Sequence, residues 1–339
     1  MEDAQPSQAE EEEEEEDLLA SGSQQPQSLT FQHLRDGSGG EQDLKRAVTM
    51  NLHGKSLAST AALEECPNLR SLDLSFNLIV DIEGISSLSK LKELKLYDNR
   101  IASLAGLQNL SSLHTLDISS NSLNSLEGLK SLRGLRVLRA SHNGLSSLNS
   151  LGRWASGLEA LDISYNKLQD LDGLSPCTAL RELGAAGNAL GKGNGLRGLS
   201  RCACLMELYA PGNGLTSLHG LKAAAATLDI LDVSSNNLVS LEGMPEGCVN
   251  LHELYASDNR LKSIAGLARC APNLETLEIG DNPLALSVFA SLTAGERPPS
   301  PTSIDPKPNA PAIPSPTTPG PPASSSRSSS SSSSNKLRR

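Results

Sequence analysis

The sequence predicts an α/β solenoid, with a curved parallel sheet on its concave face, short helices or 3₁₀ turns on its convex face, and disordered tails. Three observations predict it. The pattern Leu-x-x-Leu-x-Leu-x-x-Asn returns along the chain, its asparagines keep a nearly constant spacing, and the composition is 37% hydrophobic but only 2% aromatic. A core so poor in rings must be built from aliphatic side chains, which favours a repeat over an ordinary globule.

The pattern is spelled by Leu69, Leu72, Leu74 and Asn77, and again by Leu91, Leu94, Leu96 and Asn99. Asparagines follow at 121, 143, 166, 188, 213, 236, 259 and 282, in steps of 22 or 23 residues except for one of 25. That is the period of leucine-rich repeats. No single repeat can close its own core, so the leucines of neighbouring units must stack into a shared one. The asparagine is expected to be buried in the turn after each strand, where its amide can serve main-chain groups that lack partners.

After each asparagine comes Leu or Ile, and then a Gly-Leu or Gly-Ile unit such as Gly84-Ile85, Gly106-Leu107 or Gly173-Leu174, which fits a short helical or 3₁₀ segment behind the sheet. Upstream, Met50, Leu52 and Leu57 match strand and post-strand positions while Lys55 stands where the asparagine belongs, as in an atypical terminal repeat. The expected organisation is an acidic disordered tail over 1–45, a capping half-repeat over 46–68, a solenoid of ten repeats over 69–295, and a disordered Pro/Ser-rich tail over 296–339.

The formal charge of -10 is concentrated at the start, where residues 1–17 carry ten acids and no base. Such a run repels itself and stays solvated. The far tail holds Ser300-Pro301, Ser315-Pro316 and Thr318-Pro319, which have the form of proline-directed phosphorylation sites. The chain opens on acids instead of a basic and then apolar stretch, and no run of about 18 apolar residues occurs. The expected location is cytoplasmic, with nuclear or ciliary variants, and the protein is expected to be neither secreted nor held in a membrane.

No catalytic, cofactor or metal site is expected. Cys66, Cys177, Cys202 and Cys248 each stand three residues before a repeat-opening leucine, where other repeats have Leu88, Leu110 and Leu132, and so read as core fillers. Gly193-x-Gly195-x-x-Gly198 has the letters of a dinucleotide fingerprint but lies in the 25-residue step, without the strand-turn-helix unit that motif needs. The six histidines are scattered over different repeats and share no nucleophile or carboxylate constellation.

The third, fifth, seventh and eighth places of the motif look outward and should line the concave face. All four tyrosines, Tyr97, Tyr165, Tyr209 and Tyr255, fall at such places, and Phe76 joins them. Exposed rings are enriched at protein-binding hot spots, whereas the alternative for them is lateral packing between strands. Around them stand Asp73, Glu93, Asp117, Asp162, Glu207, Asp232 and Glu253, together with Asp98, Glu182, Asp258, Glu278 and Asp281, against Lys95 and Arg139. Such a face repels nucleic-acid phosphate and attracts a basic protein surface, and the expected form is a monomer that binds one. The other reading of the Leu-Asp-Leu acids is plain solubility.

At Leu72-Asp73-Leu74-Ser75-Phe76-Asn77, Ile82-Glu83-Gly84-Ile85 and Leu94-Lys95-Leu96-Tyr97-Asp98-Asn99-Arg100-Ile101 the sequence resembles the leucine-rich-repeat regulatory subunit of type-1 protein phosphatase. In that family an acidic, aromatic concave face holds the phosphatase catalytic subunit, so the resemblance implies the same use for Phe76, Tyr97 and their acidic neighbours. Departures are Ala140, Ala185, Ala210 and Ala256 at the third strand leucine, and a cap after Asn282-Pro283 that is not completed. The repeat class also looks like that of axonemal dynein light chain 1, ciliary assembly factors and a spliceosomal subunit. The function implied is a non-catalytic interaction scaffold and phosphatase regulator, with a cytoskeletal or ciliary adaptor, associated with dynein or microtubules, as the alternative.

Overall fold

The computed structural model describes residues 26–284. Eleven three-residue strands form one all-parallel sheet in strict sequence order: β1 (Thr49–Asn51), β2 (Ser71–Asp73), β3 (Glu93–Lys95), β4 (Thr115–Asp117), β5 (Val137–Arg139), β6 (Ala160–Asp162), β7 (Glu182–Gly184), β8 (Glu207–Tyr209), β9 (Ile230–Asp232), β10 (Glu253–Tyr255) and β11 (Thr276–Glu278). Every pairing is in repeat register, so that Leu72 lies between Met50 and Leu94 and this central row continues to Leu277. The ladder runs on past the strand ends, with Leu74 N donating to Lys95 O at 2.8 Å and Phe76 N to Tyr97 O at 2.8 Å.

The leucine periodicity decides the packing. The fourth and sixth motif places, such as Leu72 and Leu74 or Leu94 and Leu96, are fully buried, as are the later Ile79, Ile82 and Ile85 of the same turn. Each buried leucine contributes about 1.5–3 kcal/mol relative to an exposed one. The shared core is continuous from Leu34 to Ala271 and includes Ala140, Ala185, Ala210 and Ala256 at full burial. It thins at β11, where Leu277 is only half-buried.

The side behind the sheet is made mostly of 3₁₀ turns, including Glu83–Ile85, Arg153–Gly157, Asp172–Leu174 and Arg197–Leu199. A 22-residue repeat leaves too few residues for a longer helix. The glycine of the Gly-Leu unit has a second reason to be there. A Cβ at Gly106 would stand 2.6 Å from Ile82 O, and one at Gly173 would collide with Leu148 O, so these glycines let one repeat's backbone rest on the next.

The asparagines form the expected ladder. Asn166 Nδ2 donates to Ala140 O at 3.0 Å, Ile163 O at 3.0 Å and Ser164 O at 3.2 Å, while its Oδ1 accepts from Leu145 N at 3.0 Å. The same four-bond pattern recurs at Asn99, Asn121, Asn143, Asn188 and Asn259. At Lys55, which takes the asparagine's place in the first turn, the backbone N–H is itself held by Asn77 Oδ1 at 3.1 Å.

One region differs from the sequence reading. Residues 31–37, expected in a disordered tail, form α1 (Phe31–Gly37). Thr30 caps it by accepting from His33 N at 3.3 Å, and Leu34 is fully buried against the edge of the core. One leucine in a polar heptapeptide is too weak a periodicity to read. The glycine-rich stretch after Asn188, which holds the 25-residue step, makes 3₁₀ turns at Leu190–Lys192 and Arg197–Leu199 and an isolated parallel bridge between Asp170 and Gly195. The remaining helix is α2 (Leu267–Cys270). The acidic run before residue 18 and the Pro/Ser-rich stretch from 296, with its Ser-Pro and Thr-Pro dipeptides, lie outside the described residues.

Candidate protein-binding surface

The open face of the sheet carries four rows of side chains, one for each outward motif place. The third-place row runs Thr49, Ser71, Glu93, Thr115, Val137, Ala160, Glu182, Glu207, Ile230, Glu253, Thr276, and the fifth-place row Asn51, Asp73, Lys95, Asp117, Arg139, Asp162, Gly184, Tyr209, Asp232, Tyr255, Glu278. The seventh and eighth places follow in the turn beyond.

The rings fall into separate groups. Phe76 packs between His53, at 4.9 Å between centroids, and Tyr97, at 5.0 Å. Tyr165 stacks on His142 at 4.4 Å with 16° between the planes and lies over Gly187, where a Cβ would be 2.6 Å from the ring. Tyr209 and Tyr255 stand on β8 and β10 with β9 between them. His53 and His142 are surface residues that sequence reasoning passed over. Their signal was their motif place, seventh and eighth, which was weighed for tyrosine but not for histidine.

Phe76, His142 and Tyr165 share a further property, since their φ angles are +56°, +51° and +54°. The eighth place is left-handed in successive repeats, filled elsewhere by Asp98, Ser120, Gly187, Gly212, Ser235, Asp258 and Asp281. That conformation costs an L residue roughly 1–2 kcal/mol. A large ring is an expensive choice there, and Phe76 and Tyr165 remain 47% and 44% exposed.

The acids divide by place. Asp73, Asp117, Asp162 and Asp232 each accept, through Oδ1, the N–H of the serine two residues on, at 2.9, 3.0, 2.9 and 2.9 Å. These Asp-x-Ser turns give the fifth-place aspartates a backbone role that neither sequence reading had considered, though the Asp-x-Ser spacing was visible. Glu93 is engaged by Lys95 at 3.5 Å and by Ser71 Oγ at 3.2 Å. Glu207 and Glu253 instead accept from the phenols of Tyr209, at 2.9 Å, and Tyr255, at 2.6 Å.

Electrostatically the two halves of the face differ. Burial pushes the carboxyl of Asp117 up, against the pull of Ser119 and Arg139. The Glu182 carboxyl is raised by burial and then by Glu207, and that of Asp232 by burial, opposed by its bonds from Ser234. Both Tyr209 and Tyr255 hold their protons well above the ordinary phenol range, first through burial and then through their own glutamates. Among the described residues, Glu207, Asp232, Glu253 and Glu278 enter no ion pair.

The four cysteines expected in the core sit there, while Cys204 is exposed and Cys270 partly buried. Cys66, Cys177, Cys202 and Cys248 are fully buried, and burial raises their thiols to about 11, 12, 11 and 11 respectively, which makes them inert. Among the described residues no group of three or more His, Cys, Asp or Glu side chains is placed to hold a metal ion. No described helix is long and apolar enough to cross a membrane. Behind the sheet an open concavity of about 960 Å³ is lined by Lys130, Arg133 and Arg153 with several serines and asparagines, and Glu127 is its one acid.

A family model described as leucine-rich repeats in two copies matches residues 67–109, 89–131 and 249–291. No curated protein matches the chain. Among solved structures, an internalin (inlF) from Listeria monocytogenes is 20% identical, with 77% of this chain and 92% of that one covered at a TM-score of 0.55. The internalin C2 (inlC2) of the same species is 22% identical, over 60% and 88% of the two chains, at 0.52. The plant peptide hormone receptor RGFR1, solved in complex with RGF2, is 26% identical over 66% of this chain and 38% of that one, at 0.53. With the repeat period, the in-register parallel sheet and the asparagine ladder, these likenesses identify the described residues as a leucine-rich-repeat solenoid.

Proposed function

We propose that the protein is a non-catalytic interaction scaffold that holds a partner protein with a basic surface against the open face of its sheet. The observation that carries the reading is the presence of exposed rings at Phe76 and Tyr165 in a left-handed backbone place that Gly, Asp, Ser or His142 fills in the other repeats. A strained, half-exposed ring gives little back to the fold and is the kind of side chain that anchors a protein interface. The carboxylates beside it favour a basic partner and disfavour nucleic acid. RGFR1 is a receptor solved with RGF2, which is in keeping with use of such a solenoid for polypeptide recognition.

Within that class, the partner to test first is the catalytic subunit of type-1 protein phosphatase, as the resemblance of the first three repeats implies. The His53, Phe76 and Tyr97 cluster lies in those repeats. A cytoplasmic setting accords with the six free cysteines. The experiment is a pull-down from native cytosol that compares the intact chain with a Phe76→Ala, Tyr97→Ala variant and a Tyr209→Ala, Tyr255→Ala variant. Loss of a protein from either variant, with folding unchanged, supports the reading, and phosphatase among the lost proteins supports the finer one. Dynein or tubulin chains lost in its place would point to the ciliary adaptor, and identical sets from all three would overturn the open face as the site.

A further inference from the structure

Building on the open-face reading, we propose that the sheet between β8 and β10 is a slot for one lysine or arginine side chain of the partner, seated over Asp232 between Tyr209 and Tyr255. The register places Tyr209, Asp232 and Tyr255 side by side in one row, and Glu207, Ile230 and Glu253 in the row beside it. Strands about 4.8 Å apart put the two tyrosine backbones about 10 Å from each other, with a short aspartate between two long rings. Each phenol donates to the glutamate two residues back on its own strand, so each ring runs along its strand and leaves the lane above β9 open. Among the described residues neither ring packs on another aromatic ring, unlike Phe76, Tyr97 and Tyr165.

The chemistry of the lane selects its occupant. Ile230 offers an apolar floor for an aliphatic stem, Asp232 a carboxylate for a cationic head, and the tyrosines two π faces that attract a cation within about 6 Å. The charged groups that face the lane from β7 to β11 are Glu182, Glu207, Glu253 and Glu278, all acids, while the nearest strand base is Arg139 on β5. Asp232 is held in a place where its charge is poorly solvated, and an incoming cation relieves that cost. The phenol–glutamate bonds hold the walls in place before anything binds, which reduces the ordering a partner must bring about.

The test uses the full chain and a fluorescein-labelled arginine-rich peptide, with the same peptide in citrulline form as the uncharged probe, read by fluorescence anisotropy. The expected result is binding of the arginine peptide, loss of about tenfold or more with citrulline, and a similar loss in Asp232→Asn and in Tyr209→Ala, Tyr255→Ala. Val80→Ala, at an exposed residue outside the rows of the open face, should bind as the parent does. Asp232→Asn keeps an oxygen for Ser234 N, so it tests the charge without removing the turn. Equal affinity in all variants, or no binding by the parent, overturns the slot. Loss of the pull-down partner from Phe76→Ala, Tyr97→Ala with the peptide result negative would leave the open-face reading standing without it.

Discussion

Tyr255 Oη donates to Glu253 Oε2 at 2.6 Å along β10, and Tyr209 repeats the bond to Glu207 on β8 at 2.9 Å. The pairing removes a donor from solvent and sets a negative group beside each phenol, so deprotonation is doubly opposed. An ultraviolet titration should therefore show two tyrosines ionising above the ordinary value of about 10. Glu207→Gln should bring one of them down, and Glu253→Gln the other. The folded state keeps these protons where the unfolded chain has lost them, so stability falls as pH rises past about 10.

Asp232 gives a prediction of opposite character, because a neutral residue should suit the fold better. Its carboxyl is raised by burial, so between the unfolded value of about 4 and the raised folded one the native state holds more protons than the unfolded. Stability therefore declines as pH climbs through that window and stays lower at neutrality. Asp232→Asn should raise the melting temperature at pH 7 and leave it nearly unchanged at about pH 3, as calorimetry can check. A drop at pH 7 would mean that the turn to Ser234 needs the charge.

The asparagine ladder is not uniform. Asn213 Nδ2 donates to Ala185 O, Ala210 O and Pro211 O at 2.9, 3.1 and 3.1 Å, yet its buried Oδ1 has no partner, because the 25-residue step replaces the usual donor turn with the 3₁₀ turn Leu190–Lys192. Asn166→Ala leaves a backbone N–H and three carbonyls short of a partner and should cost about 3 kcal/mol, whereas Asn213→Ala should cost about 1–2 kcal/mol less. Urea unfolding of the two variants decides it, and equal costs would show that the orphan acceptor carries no penalty.

Phe76→Asn separates binding from packing. Asparagine tolerates the +56° backbone, which offsets the lost ring contacts with His53 and Tyr97. The melting temperature should move by no more than a few degrees, about 1 kcal/mol or less, while retention of the partner falls. A large destabilisation would assign the ring to lateral packing between strands.

What the sequence by itself determined is everything that repeats. Leucines at the first, fourth and sixth places and asparagine at the ninth specify the parallel sheet, its register and its core, because each unit can bury its apolar row only against an identical neighbour. The cysteines and the third-strand alanines were legible for the same reason, since their places in the period state their burial. Tertiary structure decided what depends on single residues meeting across repeats. It grouped His53 with Phe76 and Tyr97 and stacked Tyr165 on His142. It also folded Phe31–Gly37 onto the edge of the core through Leu34 alone. A period announces which face a side chain takes, but ring partners such as His53 with Phe76 and Phe76 with Tyr97 come from neighbouring repeats, and only the stacking of the repeats brings them together.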